Sequence, residues 1–142
     1  MPETVYLTAL DVEGLHVFIM EKTGEAPSPL RDRLLLESAV VCPQMAAHYA
    51  DADLVEQCAL LAVGISQAQA FVEGNKRTAF IASDVFLRAN GCLFTGDPLE
   101  MAQQLEAVAT RTESEAEARA LFTERLRAHV TCQESGPGVV KK

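Results

Sequence analysis

Between Asp53 and Gln69 the chain carries Leu54, Val55, Cys58, Leu60, Leu61, Val63 and Ile65, an apolar set that runs nearly all the way round a helix. A helix wetted on one side shows an apolar stripe, whereas one that is apolar all round has to be covered by neighbours. The segment therefore predicts a central buried helix, with other helices packed about it. Composition points the same way: 49% of the 142 residues are hydrophobic and Trp is absent, while Ala and Leu dominate, which favours helix over sheet. A single domain of this length can bury a core of its own.

Start and stop signals divide the rest. Thr8 followed by Asp11 reads as a capping box for a first helix with Leu10, Leu15, Phe18 and Ile19 inward, ended by Gly24. After the stiff Ala26-Pro27-Ser28-Pro29 loop, a second helix is expected from about Arg31 to Val41, stopping before Pro43, with Leu34, Leu35 and Ala39 inward. Arg31, Asp32 and Arg33 in its first turn read as a solvated, mutually paired start. A short helix or turn follows over Gln44–Tyr49, and Asp51 or Asp53 caps the central helix. The next helix runs from about Asn75 to Asn90, with Ala79, Ala82, Phe86 and Ala89 on its core face and Asn90-Gly91 as a left-handed stop. Cys92-Leu93-Phe94 is at most a stub of strand. Asp97-Pro98 opens a helix to about Val108, and Ser114 caps a last one to about Val130. The expectation is an all-α single domain of about six helices over residues 1–132. The Gly/Pro-containing stretch 133–142 has too little apolar surface to fold and is expected to be a flexible tail.

Charge and cysteine usage narrow the function. A net charge of −8 argues against a nucleic-acid-binding face, which needs cations for phosphate. The longest unbroken apolar run, Cys58 to Ile65, is far too short to span a bilayer. With an acidic start, Met1-Pro2-Glu3-Thr4, in place of a basic leader, the expected location is the cytoplasm. Cys42, Cys58, Cys92 and Cys132 lack metal-like spacing and are expected to be free thiols, three of them packed as small hydrophobes. His16, His48 and His129 are too dispersed to suggest a cluster.

One short stretch stands out against this acidic background: Phe71-Val72-Glu73-Gly74-Asn75-Lys76-Arg77-Thr78-Ala79-Phe80. Gly74 and Asn75 tolerate backbone angles that let successive N–H groups converge. A helix starting there adds its unpaired N–H donors and the positive end of its dipole, and Lys76 and Arg77 bring two cations. Together these make a phosphate site. Glu73, just before the turn, could hold a Mg²⁺ that bridges phosphates. The bland alternative is an ordinary loop-to-helix junction with solvated charges. Phe71 reads as a core anchor for the loop.

These residues resemble the Fic/Doc family, whose pattern is His-x-Phe-x-Asp/Glu-Gly-Asn-Gly-Arg-x-x-Arg. Its Doc (death-on-curing) toxins carry Asn-Lys-Arg-Thr-Ala in the latter half, as Asn75 to Ala79 do here, and Phe80 stands where the second Arg would be. The run Leu30 to Ala39 is similar to the Doc-type helix upstream of the motif. The resemblance implies a Fic/Doc-like helical bundle and a toxin of a toxin–antitoxin pair. Such toxins transfer the γ-phosphate of ATP to a hydroxyl of elongation factor Tu and arrest translation, until a partly disordered antitoxin protein folds into a groove near the site. It implies that Glu73 binds Mg²⁺, and that Gly74, Asn75, Lys76, Arg77 and Thr78 surround the nucleotide. Lys76 and Arg77 would neutralise charge developing in transfer, and Asn75 would be part of the catalytic set. Transfer of AMP, the usual Fic reaction, is disfavoured by Phe80.

The departure is Gln69, which occupies the position of the motif His; Ala70 beside it replaces a frequent Pro. In the family that His takes the proton from the attacking hydroxyl. A Gln amide can donate and accept hydrogen bonds but does not titrate near neutrality. Losing a general base costs on the order of 10²- to 10⁴-fold in rate. Two readings therefore stay open: a phosphotransferase toxin, or a catalytically impaired Doc fold that only binds nucleotide or a partner.

Overall fold

The computed structural model describes residues 4–27, 29–97, 99–101, 103–105 and 115–132. They form α1 (Ala9–Lys22), α2 (Arg33–Ala50), α3 (Leu54–Ala68), α4 (Asn75–Ala89), β1 (Cys92–Phe94), α5 (helical at 99–101 and 103–105), α6 (Glu115–Arg127) and β2 (Val130–Cys132). The described residues are thus mainly helical, with six helices and one small antiparallel pair among them, in which Cys92 lies opposite Cys132 and Phe94 opposite Val130. The predicted ends near Val108 and Ser114, Pro98, and the tail 133–142 lie outside the described residues.

α3 is the centre, as its composition requires. Val55, Cys58, Ala59, Leu61, Ala62, Val63 and Ile65 are all buried, and α2, α4 and α6 pack round it. Asp53 supplies the cap: its carboxylate accepts from the Glu56 N–H, and the Glu56 side chain accepts from the Asp53 N–H. Thr8 and Asp11 make the same reciprocal pair at α1. Asp97 accepts from the Leu99 N–H at the start of α5.

The second helix departs from expectation, since α2 continues through Pro43 to Ala50 and absorbs the separate turn expected at Gln44–Tyr49. An interior proline costs about 3 kcal/mol through its missing N–H and its ring clash. Each fully buried Leu, Ile or Val contributes about 1.5–3 kcal/mol, and Leu36, Ala39 and Pro43 form one buried row against α3. A Cβ on Gly64 would lie 3.5 Å from Ala39 Cβ, so small residues let the two helices meet closely there. Packing along that row offsets a local cost of similar size. Leu34 and Leu35, expected inward, are exposed instead.

α1 also turns a different face inward. Ala9, Val12, His16 and Met20 are buried, whereas Leu10 and Phe18, expected inside, are exposed. α1 is apolar on several sides, so periodicity alone could not select the side that the α3–α4 loop covers. At the end of α4, only Gly91 is left-handed (φ 80°), while Asn90 has φ −109°.

The cysteine expectation is corrected. Cys92 and Cys132 form a disulfide across 40 residues, placed opposite each other by the β1–β2 register. Cys42 is free and exposed, and Cys58 is free and buried. Burial pushes the Cys58 thiol up to about 12, so it stays protonated. No described helix is long and apolar enough to cross a membrane.

Candidate functional site

The six residues Gln69 to Gly74 link the buried end of α3 to the start of α4, and they are anchored from several directions. Gln69 ends α3 in the left-handed region (φ 54°), and its Nε2 donates to Ser66 O at 2.9 Å. The segment before α2 is sewn to the loop. The N–H groups of Arg31 and Asp32 both donate to Ala70 O, Val72 N–H donates to Pro29 O at 3.3 Å, and Leu30 bridges to Phe71. Asp32 is itself the cap of α2, and Arg33 pairs with Glu13 and Glu37. Asp32 and Arg33 thus serve the fold, but through the α2 backbone, Glu13 and Glu37 rather than through the mutual pairing expected of them.

From beneath, α1 supplies His16, which is 1% exposed. Its ring stacks on Phe71, with centroids 3.9 Å apart and planes 9° from parallel. Its Nε2 lies 2.9 Å from Glu73 O; a carbonyl can only accept, so Nε2 carries the proton. Phe71 is the buried anchor that the sequence indicated. His16 was missed because it was sought as part of a histidine cluster. The signal was its place at helical spacing between Val12 and Met20, on the face that turns inward.

Asn75 closes the bend from within. Its Oδ1 accepts from Phe71 N–H at 3.1 Å, and its Nδ2 donates to Phe71 O at 2.8 Å. Nδ2 also stands 3.5 Å from Gln69 Oε1, which joins the two ends of the loop. What Asn75 can still offer a ligand is its backbone N–H. Gly74 makes the final turn at φ 83°, and a Cβ there would lie 2.6 Å from Met20 Sδ.

The helix that follows begins differently from its predecessors. Side chains cap α1, α2 and α3 through Thr8, Asp32 and Asp53, but no side chain caps α4 at Gly74. Gly74 has no side chain with which to cap, and the positive end of the helix dipole favours an anion there. Lys76 is exposed in that first turn. Arg77 reaches towards the α1–α2 connection, where Nη1 lies 2.9 Å from Glu25 Oε2 and 2.8 Å from Thr23 Oγ1. The hydrogen bond to Glu25 raises the Arg77 pKa above its ordinary value; burial opposes this, and the Coulomb attraction of Glu25 and then Glu73 adds to it. Glu73 is exposed, close enough for its charge to be felt at Arg77.

Thr78 is 0% exposed and its N–H donates to Gly74 O, so burial takes it out of reach of a bound nucleotide. No group of three or more His, Cys, Asp or Glu able to hold a metal occurs among the described residues. Glu73 is a lone carboxylate, which fits Mg²⁺ arriving on phosphates with most of its shell as phosphate and water, rather than in an all-protein cage.

Gln69, Glu73, Gly74, Asn75, Lys76 and Arg77 are therefore brought to one loop-and-helix-start, held by α1 and by the entry to α2. The profile of the Fic/DOC family matches residues 6–87. The Toxin Doc of Mycolicibacterium smegmatis is 38% identical over 86 residues, which are 58% of this chain and 66% of that protein. The family match takes in α1, α2, α3, the whole 69–74 loop and most of α4, well over half of the sequence, and this chain belongs to the Fic/DOC family.

Proposed function

We propose that this chain is a Doc-like toxin that binds ATP with Mg²⁺ at the start of α4 and transfers the γ-phosphate to a protein hydroxyl, with elongation factor Tu as the target. Translation would stop as a result. The observation that carries the reading is the uncapped N-terminus of α4 at a left-handed Gly74, beside Lys76 and Arg77, in a fold whose preceding helices are capped by side chains. The N–H groups of the first turn would orient the phosphates, Lys76 and Arg77 would balance their charge, and Glu73 would hold the Mg²⁺. Bound Mg²⁺ supplies charge neutralisation between phosphates. The similarity to a Toxin Doc supports an antitoxin protein as partner, one that covers this site to silence it.

Gln69 favours a second reading. Its amide is tied to Ser66 O and lies near Asn75, and it cannot take up a proton near neutrality. The chain would then bind nucleotide or a partner and transfer phosphate poorly. Incubating the protein with γ-labelled ATP, Mg²⁺ and elongation factor Tu separates the two, with calorimetry of ATP binding run in parallel. Label on elongation factor Tu supports the toxin reading. Binding without label supports the second. Absence of ATP binding, or binding unchanged in Arg77→Ala, removes the nucleotide site from both.

A further inference from the structure

His16 holds the loop at two points, and the second of them decides which way the bend faces. The ring is buried on the side of α1 that also buries Val12 and Met20. One face of it stacks on Phe71, and Phe71 is in turn fixed by the Asn75 side chain at both its N–H and its C=O. The edge of the ring then reaches the last peptide of the loop, with Nε2 2.9 Å from the Glu73 carbonyl oxygen. The imidazole is thus a strut between α1 and that peptide.

The Glu73–Gly74 peptide is trans, and in a trans peptide the C=O and the next N–H point in opposite directions. A Glu73 carbonyl drawn down to His16 therefore turns the Gly74 N–H up, away from α1. Packing at Gly74 supports the same orientation. A Cβ there would lie 3.4 Å from both Cδ2 and Nε2 of His16 and 2.6 Å from Met20 Sδ, so the side of the bend that lacks a side chain rests on α1. Were the peptide to flip, a carbonyl oxygen would point where the N–H now points, and its partial negative charge would repel a phosphate. A phenyl ring could stack on Phe71 as well as an imidazole does. What it could not supply is a donor for the Glu73 carbonyl.

We propose that His16 is a positioning residue for phosphate, a role that rests on the function proposed above. Its Nε2–H holds the Glu73 carbonyl inward and so keeps the Gly74 N–H aimed at the phosphates of Mg²⁺–ATP at the start of α4. His16 acts through one peptide group and does not touch the nucleotide.

The test uses the full chain and three variants. His16→Phe keeps a ring against Phe71 and removes the donor. His16→Gln and His16→Met are matched in length and lack the ring, and only Gln carries an N–H donor. Calorimetry measures Mg²⁺–ATP affinity, and ¹H–¹⁵N NMR follows the Gly74 amide in the nucleotide-free protein. His16→Phe is expected to bind Mg²⁺–ATP about ten- to a hundredfold more weakly, the scale of a hydrogen bond to a charged group, and to shift the Gly74 amide resonance. His16→Gln is expected to bind more tightly than His16→Met by a similar factor. Should His16→Phe fail to fold, the comparison of Gln with Met decides alone. Equal affinities of parent and His16→Phe, or of the Gln and Met variants, overturn this role and leave the proposed function standing. So does weaker binding with an unmoved Gly74 amide. A parent that binds no Mg²⁺–ATP removes the proposed function and this role together, and that failure is seen in the parent alone.

Discussion

Arg77 and Glu25, 52 residues apart, form a two-point ion pair, with Nη1 2.9 Å from Oε2 and Nη2 3.3 Å from Oε1. One of the two cations assigned to phosphate is therefore already engaged by a carboxylate of the α1–α2 connection. The pair is exposed, at 36% and 45% for the two side chains, and exposed pairs open cheaply. The hydrogen bond from Arg77, then its charge, lowers the Glu25 pKa from 4.5. The pair is thus fully formed at neutral pH and is lost only as pH falls through that lowered value. In the proposed function Glu25 would compete with phosphate for Arg77, so Glu25→Ala should tighten Mg²⁺–ATP binding by about two- to five-fold, the scale of a surface pair. Calorimetry measures it, and an unchanged or weaker affinity would show that Arg77 holds the fold rather than the nucleotide.

Gly74 carries two constraints at once. A side chain there must adopt φ 83° and place its Cβ 2.6 Å from Met20 Sδ, in a spot that Met20 fills while 1% exposed. Left-handed strain in a non-Gly residue costs on the order of 1–3 kcal/mol before any clash is counted. Gly74→Ala should lower stability by at least that amount in denaturant titration.

The Cys92–Cys132 bond ties β1 to β2 and closes a loop spanning α5 and α6. Restricting the unfolded chain over a separation of 40 residues is worth about 4 kcal/mol in the loop-entropy account. Cys132→Ser should lower the melting temperature, and a reductant should lower it in the parent but not in the variant. Equal melting temperatures with and without reductant would mean that the bond adds nothing to stability.

What the sequence made legible was local. The Gly-Asn-Lys-Arg bend, the capping box at Thr8, the choice of Asp51 or Asp53 as cap of α3, and the all-round apolar α3 can each be read within one or two helical turns, and the structure keeps them, with Asp53 as the cap. The partners of the loop could not be read this way. His16 reaches Glu73 across 57 residues, and the Pro29–Asp32 segment joins the loop by backbone hydrogen bonds that leave no residue signature. The run of α2 through Pro43 was hidden because a local proline rule does not see the packing of its row against α3, and the buried face of α1 was hidden for a different reason. Where apolar residues occupy several sides of a helix, periodicity cannot tell the side that meets the core from a side that meets something else.

Asp53 links two helices by one carboxylate. It caps α3 and binds Arg127 of α6, with Nη1 2.8 Å from Oδ2. Burial pushes its pKa up, but the hydrogen bond from Arg127 and the N–H groups of Glu56 and Val55 outweigh this, and the net shift is below 3.8. A lowered folded-state pKa means that the contribution is complete above the ordinary Asp range and lost as pH falls through the shifted value. Asp53→Ala should cost about 1–2 kcal/mol at neutral pH, mostly as a lost cap. The gap between parent and variant should close in acid when unfolding is followed by circular dichroism. A gap independent of pH would remove the ionised carboxylate as its cause.

Gln69→His asks whether the site lacks only a base. The backbone at Gln69 is left-handed, φ 54°, and His is among the non-glycine residues enriched at positive φ. The exchange should therefore leave the loop unstrained. The Ser66 carbonyl that now accepts from the Gln69 amide at 2.9 Å offers an acceptor for an imidazole N–H. An imidazole titrates near neutrality and can accept a hydroxyl proton, so restoring it should raise phosphate transfer by about 10²- to 10⁴-fold. Nucleotide affinity, set by the start of α4, should stay the same. Single-turnover transfer of label from γ-labelled ATP, compared with ATP affinity by calorimetry, separates the two quantities. A gain in affinity without a gain in rate would mean that residue 69 contacts the nucleotide instead of the proton, and no gain in either would place the missing function elsewhere in the loop.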